Sequence, residues 1–148
     1  WDKTFDKQAA FNGMRERGIS RIEMDFSGGH DEGGIDDIYA FDAQGERVEL
    51  PERKWHIGTQ YSQGMETKIA YKIGDWQAGS IPADQLPADE KAIVDFLDNI
   101  ENIVYSKYHT FAGEFYVNGT AVIDVEKNIA TIKGSESVET WDDFEDEL

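Results

Sequence analysis

Hydrophobic and polar positions alternate most clearly after Ser20. Ile22, Met24 and Phe26 interleave with Arg21, Glu23 and Asp25. A period of two puts one set on each face of a pleated backbone, so this stretch predicts a half-buried β-strand. Before it, Phe5, Ala9, Ala10, Phe11 and Met14 recur at helical spacing. Arg15, Arg17 and Gly18 suit a helix C-terminus, which predicts a first helix over about residues 4–17. After the strand, Ser27-Gly-Gly-His-Asp-Glu-Gly-Gly34 holds four glycines and reads as a conformationally loose reversing loop. Ile35–Phe41 and Arg47–Leu50 read as the next strands, joined by a turn at Asp42-Ala-Gln-Gly45, the pattern of an antiparallel meander.

From Pro51 to Pro87 the periodicity is weaker. Gln60-Tyr61 and Lys68–Ile73 suggest a hairpin around Gly64, and 74–87 reads as a connecting loop. The strongest helical signal follows, over 87–108. Ile93, Phe96, Leu97, Ile100, Ile103 and Val104 form one apolar stripe, with Asp95, Asp98 and Asn102 opposite. Pro87 suits a first helical position, and Asp89 and Glu90 face the positive end of the helix dipole. Val117-Asn118-Gly119-Thr120 carries a two-residue hairpin signal. Ala121, Ile123 and Val125 alternate after it, and Ile129–Ile132 returns after a turn at Lys127-Asn128. The last segment holds Glu136, Glu139, Asp142, Asp143, Glu145, Asp146 and Glu147, interrupted by Trp141 and Phe144. It reads as an acidic C-terminal tail. The expected class is therefore α+β: an antiparallel sheet of five or six strands packed on two helices. The expected organisation is one domain over 1–134 with a tail over 135–148.

Charge changes the picture more than the rest of the composition. The chain has 31 Asp and Glu against 14 Lys and Arg, a net charge of −17 over 148 residues. Such an excess repels itself, and it disfavours direct contact with nucleic acid or an anionic membrane while favouring a basic protein surface. Eighteen aromatic residues, four of them Trp, provide enough apolar bulk for a packed interior. With no cysteine, disulfides, thiolate metal sites and cysteine nucleophiles are excluded, which fits a reducing cytoplasm. No apolar run is long enough to span a membrane. The chain opens Trp1-Asp2-Lys3, so its start is expected to be trimmed, and no leader is visible in what remains.

Residues 11–38 resemble the opening of an uncharacterised family of small acidic proteins of bacteria, plasmids and phages, known only as a domain of unknown function. The family pattern is a helix ending Gly-Ile, an alternating strand, then a Gly-x-Gly-Asp-Ser-Gly-x-Ile-Glu-like loop. Here these are Gly18-Ile19, Arg21–Phe26, and a loop containing Gly28, Asp31, Gly33, Ile35 and Asp36. His30 replaces a family Gly and Glu32 a family Ser. A second block matches at His109, Gly119 and Val122–Val125, whereas 52–85 finds no counterpart. The resemblance implies a small cytoplasmic α+β domain, often encoded on mobile elements, and brings no activity with it.

Candidate chemistry is sparse. Asp31, Glu32, Asp36 and Asp37 cluster around the glycine-rich loop and could offer oxygens to Ca²⁺ or Mg²⁺. Their spacing does not match a calcium-binding loop, and in a regular strand Asp36 and Asp37 point to opposite faces, so a solvated acidic turn is the favoured reading. His30, His56 and His109 form no metal-binding pair, and no nucleophile elbow or phosphate-cradling loop is present. Neither a metal nor a cofactor is expected, and no catalytic residue is assigned.

The partner-binding candidates are Asp95, Asp98, Glu136, Glu139, Trp141, Asp142, Asp143, Phe144, Glu145, Asp146 and Glu147. A fully extended tail spans about 45 Å, which gives one charge per roughly 6 Å. That is about half the density of one DNA strand, so the folded body must contribute to any imitation of DNA. The leading expectation is a non-enzymatic acidic inhibitor that covers a nucleic-acid-binding surface of a host protein, as a phage anti-defence protein would. The alternatives are an immunity or adaptor protein capping one partner, and a carboxylate-dependent enzyme or divalent-metal domain centred on Asp31, Asp36 and Asp37.

Overall fold

A computed structural model describes residues 4–75, 77, 79–109, 111–137 and 141–148. The chain forms two compact units. The first combines residues 1–50 with 99–148, and the second is the intervening 51–98. This differs from the expected single body over 1–134 followed by a tail.

In the first unit, helix α1 spans Lys7–Glu16. Asp6 caps it by accepting from the Ala9 N–H at 3.0 Å. Its end is a Schellman turn: Gly18 takes φ +69°, and the Ile19 N–H reaches the Met14 carbonyl. Six strands then build one antiparallel sheet. They are β1 (Arg21–Gly29), β2 (Glu32–Phe41), β3 (Arg47–Val48) and, after the second unit, three more. These last are β7 (Tyr116–Asp124), β8 (Ile129–Ser137) and β9 (Trp141–Glu147), in the spatial order β3-β2-β1-β7-β8-β9. The α+β class is as expected, with six strands in this sheet.

One face of the sheet is apolar. Ile22, Met24 and Phe26 of β1, Ala121 and Ile123 of β7, and Ala130 and Ile132 of β8 lie in register and are fully buried. The last ten residues of helix α2, which spans Ala88–Tyr108, meet this face through Tyr108, whose ring lies 5.6 Å from Phe26. Asn99 of α2 donates to the Asp6 carbonyl and accepts from the Asp6 N–H, both at 2.8 Å, tying α1 to α2.

Three sequence expectations fail here, the first two because of close backbone packing. The glycine-rich stretch is not a loop. β1 and β2 run through it, and only His30 and Asp31 turn the chain, both at positive φ. Gly28 and Gly33 are needed because the Phe111 ring lies where their side chains would be: a β-carbon on Gly28 would sit 2.4 Å from that ring. Asn118-Gly119 is not a turn either, because it lies inside β7. A β-carbon on Gly119 would come within 2.3 Å of the Lys133 carbonyl and 2.7 Å of the Phe26 ring. Finally, the acidic tail is not a tail. Its residues complete β8 and form β9, with seven registered pairs from Thr131–Glu147 to Ser137–Trp141.

The second unit holds a three-stranded antiparallel sheet and the first half of α2. Its strands are β4 (Trp55–Ser62), β5 (Met65–Lys72) and β6 (Ser80–Pro82). The expected hairpin is present, turning at Gln63 and Gly64 with positive φ at both, but its strands are longer than the sequence signalled. The expected 74–87 loop contains β6 and a short 3-10 turn over Ala83–Gln85. The Trp55 indole donates to Glu90 at 2.6 Å within this unit.

Candidate partner-binding surface

The second face of the six-stranded sheet is polar, and the strand register sets its composition. Residues opposite each other in an antiparallel pair share a face. One row across five strands therefore reads Asp37, Asp25, Thr120, Lys133 and Glu145. A neighbouring row carries Ser27, Asn118, Ser135 and Asp143. At about 4.8 Å between strands, the first row spans roughly 19 Å.

Asp36 and Asp37 both belong to this face, contrary to the alternation of a regular strand. The register slips between Asp25 and Phe26, leaving Asp36 as the extra residue of a β-bulge. Ile35 and Ile38, on either side, pair with the buried Phe26 and Met24. Asp36 accepts from the Ser27 hydroxyl at 2.7 Å, and Asp25 accepts from the Thr120 hydroxyl at 3.0 Å. Asp31 and Glu32 do not join them. Asp31 sits at the hairpin tip, where its N–H donates to the Phe111 carbonyl at 3.0 Å and its carboxylate accepts from the Gly113 N–H at 3.4 Å. That carboxylate helps fasten the tip to the loop holding Phe111. Glu32 is exposed beside it. Among the described residues, no three carboxylate or histidine side chains converge on a common metal position.

The C-terminal acids divide by face. Asp143, Glu145 and Glu147 stand on the polar face. Asp142, Phe144 and Asp146 belong to the helix side. There Phe144 meets Tyr108 edge-on at 6.3 Å, Lys107 lies 4.0 Å over the Phe144 ring, and Lys107 pairs with Asp146. Glu136 also turns inward and accepts from the Tyr108 hydroxyl at 2.5 Å. Burial, then this hydrogen bond and the charges of Glu136 and Asp146, push the Tyr108 hydroxyl far above its ordinary pKa. Burial likewise raises Tyr105. Glu139 and the side chain of Trp141 lie outside the described part of the structure.

Asp95 and Asp98 belong to the second unit, where each has its own cation. Lys91 holds Asp95 at 2.8 Å, and Arg53 holds Asp98 at 2.7 Å. On the polar face, Arg21 bridges Glu23 at 2.7 Å and Asp124 at 3.2 Å at one end, beside a shallow cavity of about 270 Å³, and Lys133 stands in register with Glu145. The sequence reading missed Glu23 and Asp25 as members of this surface. Their signal was present in the alternation with Ile22, Met24 and Phe26.

The charge is unevenly divided. The first unit carries 23 of the acids against 9 bases, and the second carries 8 against 5. Most of the surplus therefore belongs to the unit with the polar sheet face.

An antiparallel six-stranded sheet with one face closed by helix and the other acidic defines this part of the chain as an α+β domain. Residues 3–74 match a family of unknown function (DUF6878). The match runs from α1 through β5. No curated protein and no solved structure matches the chain. Among the described residues, no helix is long and apolar enough to cross a membrane.

Proposed function

We propose that the polar face of the six-stranded sheet, with its β9 edge, binds a basic protein surface, and that this protein is a non-enzymatic acidic inhibitor of a nucleic-acid-binding host factor. The carrying observation is the placement of Asp25, Asp36, Asp37, Asp143, Glu145 and Glu147 on one face, in the unit that holds most of the surplus charge. Along β9, alternate acids repeat about every 6.8 Å on that face. An ordered lattice of carboxylates repels nucleic acid and attracts the cationic groove that would bind it. The glycine-rich hairpin resemblance supports a source in bacteria or their mobile elements, acting in the host cytoplasm as an anti-defence protein.

Displacement tests this reading. Bacterial DNA-binding proteins retained on heparin are loaded with a fluorescent duplex, and the protein is titrated in. Release of the duplex is expected, with loss of that release in D36N/D37N/D143N/E145Q. A duplex that stays bound at every concentration overturns the proposal.

One observation favours a second reading, an adaptor that caps a single partner through apolar anchors. At the tip of the β4–β5 hairpin, Tyr61 is 75% and Met65 69% exposed. Large exposed side chains of these types are suited to interface anchoring. Under this reading Tyr61→Ala abolishes binding while the charge substitutions change it little.

A further inference from the structure

The six-stranded sheet ends at β9, and among the described residues β9 pairs only with β8. Among these residues, none pairs with its other edge. The Leu148 N–H donates to the Ala130 carbonyl at 2.8 Å, which fixes which backbone groups face that edge. In an antiparallel pair, alternate residues turn their N–H and C=O toward the neighbour, and those between turn them away. Leu148, Asp146, Phe144 and Asp142 therefore direct their backbone toward β8. Asp143, Glu145 and Glu147 direct theirs outward.

These three residues are also the ones whose carboxylates stand on the polar face. Each outward amide and carbonyl is thus accompanied by a negative side chain of the same residue. On the opposite face of the edge are Asp142 and Asp146, the latter paired with Lys107. A strand arriving at this edge meets carboxylates on both of its faces.

We propose that β9 is a docking edge that takes up an extended cationic segment of a partner protein as a further strand of the sheet. This rests on the acidic-surface reading above and specifies the partner's chemistry and the mode of contact. Main-chain pairing provides the attachment, and the flanking carboxylates select Lys and Arg on the incoming strand. Charges on an edge strand also guard against pairing with further copies of the same chain. A second copy would bring the same five β9 acids against this edge, so the charge that admits a basic strand turns away its own kind. The edge is already ordered: seven registered pairs join it to β8, and Phe144 is held against Tyr108 beneath Lys107. Little ordering remains to be done on binding.

A nine-residue peptide alternating Lys and Thr serves as the probe, beside the same peptide N-methylated at alternate residues. Methylation keeps every charge and removes the strand hydrogen bonds along one edge. The parent peptide is expected to bind, with slowed hydrogen exchange at the amides of Asp143, Glu145 and Glu147, and the methylated peptide to bind about tenfold more weakly. Glu145→Pro removes one outward N–H that the fold itself does not use, so it is expected to keep the native circular dichroism spectrum and to lose more affinity than Glu145→Gln. If both peptides bind equally and no amide is protected, the docking edge is wrong while the acidic-surface reading stands. If neither binds but the duplex is still displaced from heparin-retained proteins, the edge proposal again fails alone. If displacement fails as well, the reading beneath it falls too.

Discussion

Asp25 and Asp37 stand directly opposite each other on β1 and β2, two carboxylates on one face of the sheet. Asp25 is engaged by the Thr120 hydroxyl rather than by a cation. Like charges directly opposite in a sheet are destabilising by a fraction of a kcal/mol up to about 1 kcal/mol. Asp37→Asn is therefore expected to raise the unfolding free energy in urea by about 0.2–1 kcal/mol, less at high salt. The same variant is expected to bind a basic partner more weakly, so stability and affinity move in opposite directions.

The glycine hairpin depends on Phe111. A β-carbon on Gly28 would lie 2.4 Å from the ring and 2.8 Å from the Glu32 carbonyl oxygen. Gly28→Ala is expected to cost about 1–3 kcal/mol in urea denaturation, the range for forced overpacking. Adding Phe111→Leu is expected to recover only part of this, because the backbone contact remains.

Tyr108 couples stability to alkaline pH. Its folded-state pKa lies above the ordinary value of 10.0. The unfolded chain therefore loses this proton first, and the folded state binds more protons above pH 10. Its stabilising effect is fully present below pH 10 and is lost as the pH rises from there toward the folded value. Melting temperatures between pH 9 and 11.5 are expected to fall less steeply for Tyr108→Phe than for the parent chain. At pH 7 the variant is expected to be less stable by about 1 kcal/mol, through loss of the hydrogen bond to Glu136.

Lys107 pins the β9 strand. It pairs with Asp146 and lies 4.0 Å over the Phe144 ring. Lys107→Ala is expected to cost about 1 kcal/mol or less overall. Its local effect is expected to be larger: faster hydrogen exchange at the Phe144 and Asp146 amides, with α1 unchanged.

These contacts also explain how far the sequence could be read. The helices were legible because Ile100, Ile103 and Val104 repeat at helical spacing and are fully buried. β1 was legible because its alternation is strict. Gly119 was misread because glycine serves tight turns and tight packing alike, and the Phe26 ring that excludes a side chain there comes from a strand far away in the sequence. Trp141 and Phe144 are three residues apart, so in a strand they fall on opposite faces and give no amphipathic signal. β9 was therefore visible as acidic residues but not as a strand. The shared face of Asp36 and Asp37 depends on a one-residue bulge, which no local pattern reveals.

In the proposed function, position rather than total charge makes this surface a binding site. Two variants with equal net charge test it most directly: D36N/D37N/D143N/E145Q on the sheet face, and E52Q/E66Q/D84N/D89N on exposed positions of the second unit. Affinity for a heparin-retained DNA-binding protein is measured for both against the parent chain across a salt series. If position governs binding, the sheet-face variant loses most of the binding and its salt dependence, and the second-unit variant stays near the parent. Equal weakening by both variants would contradict it.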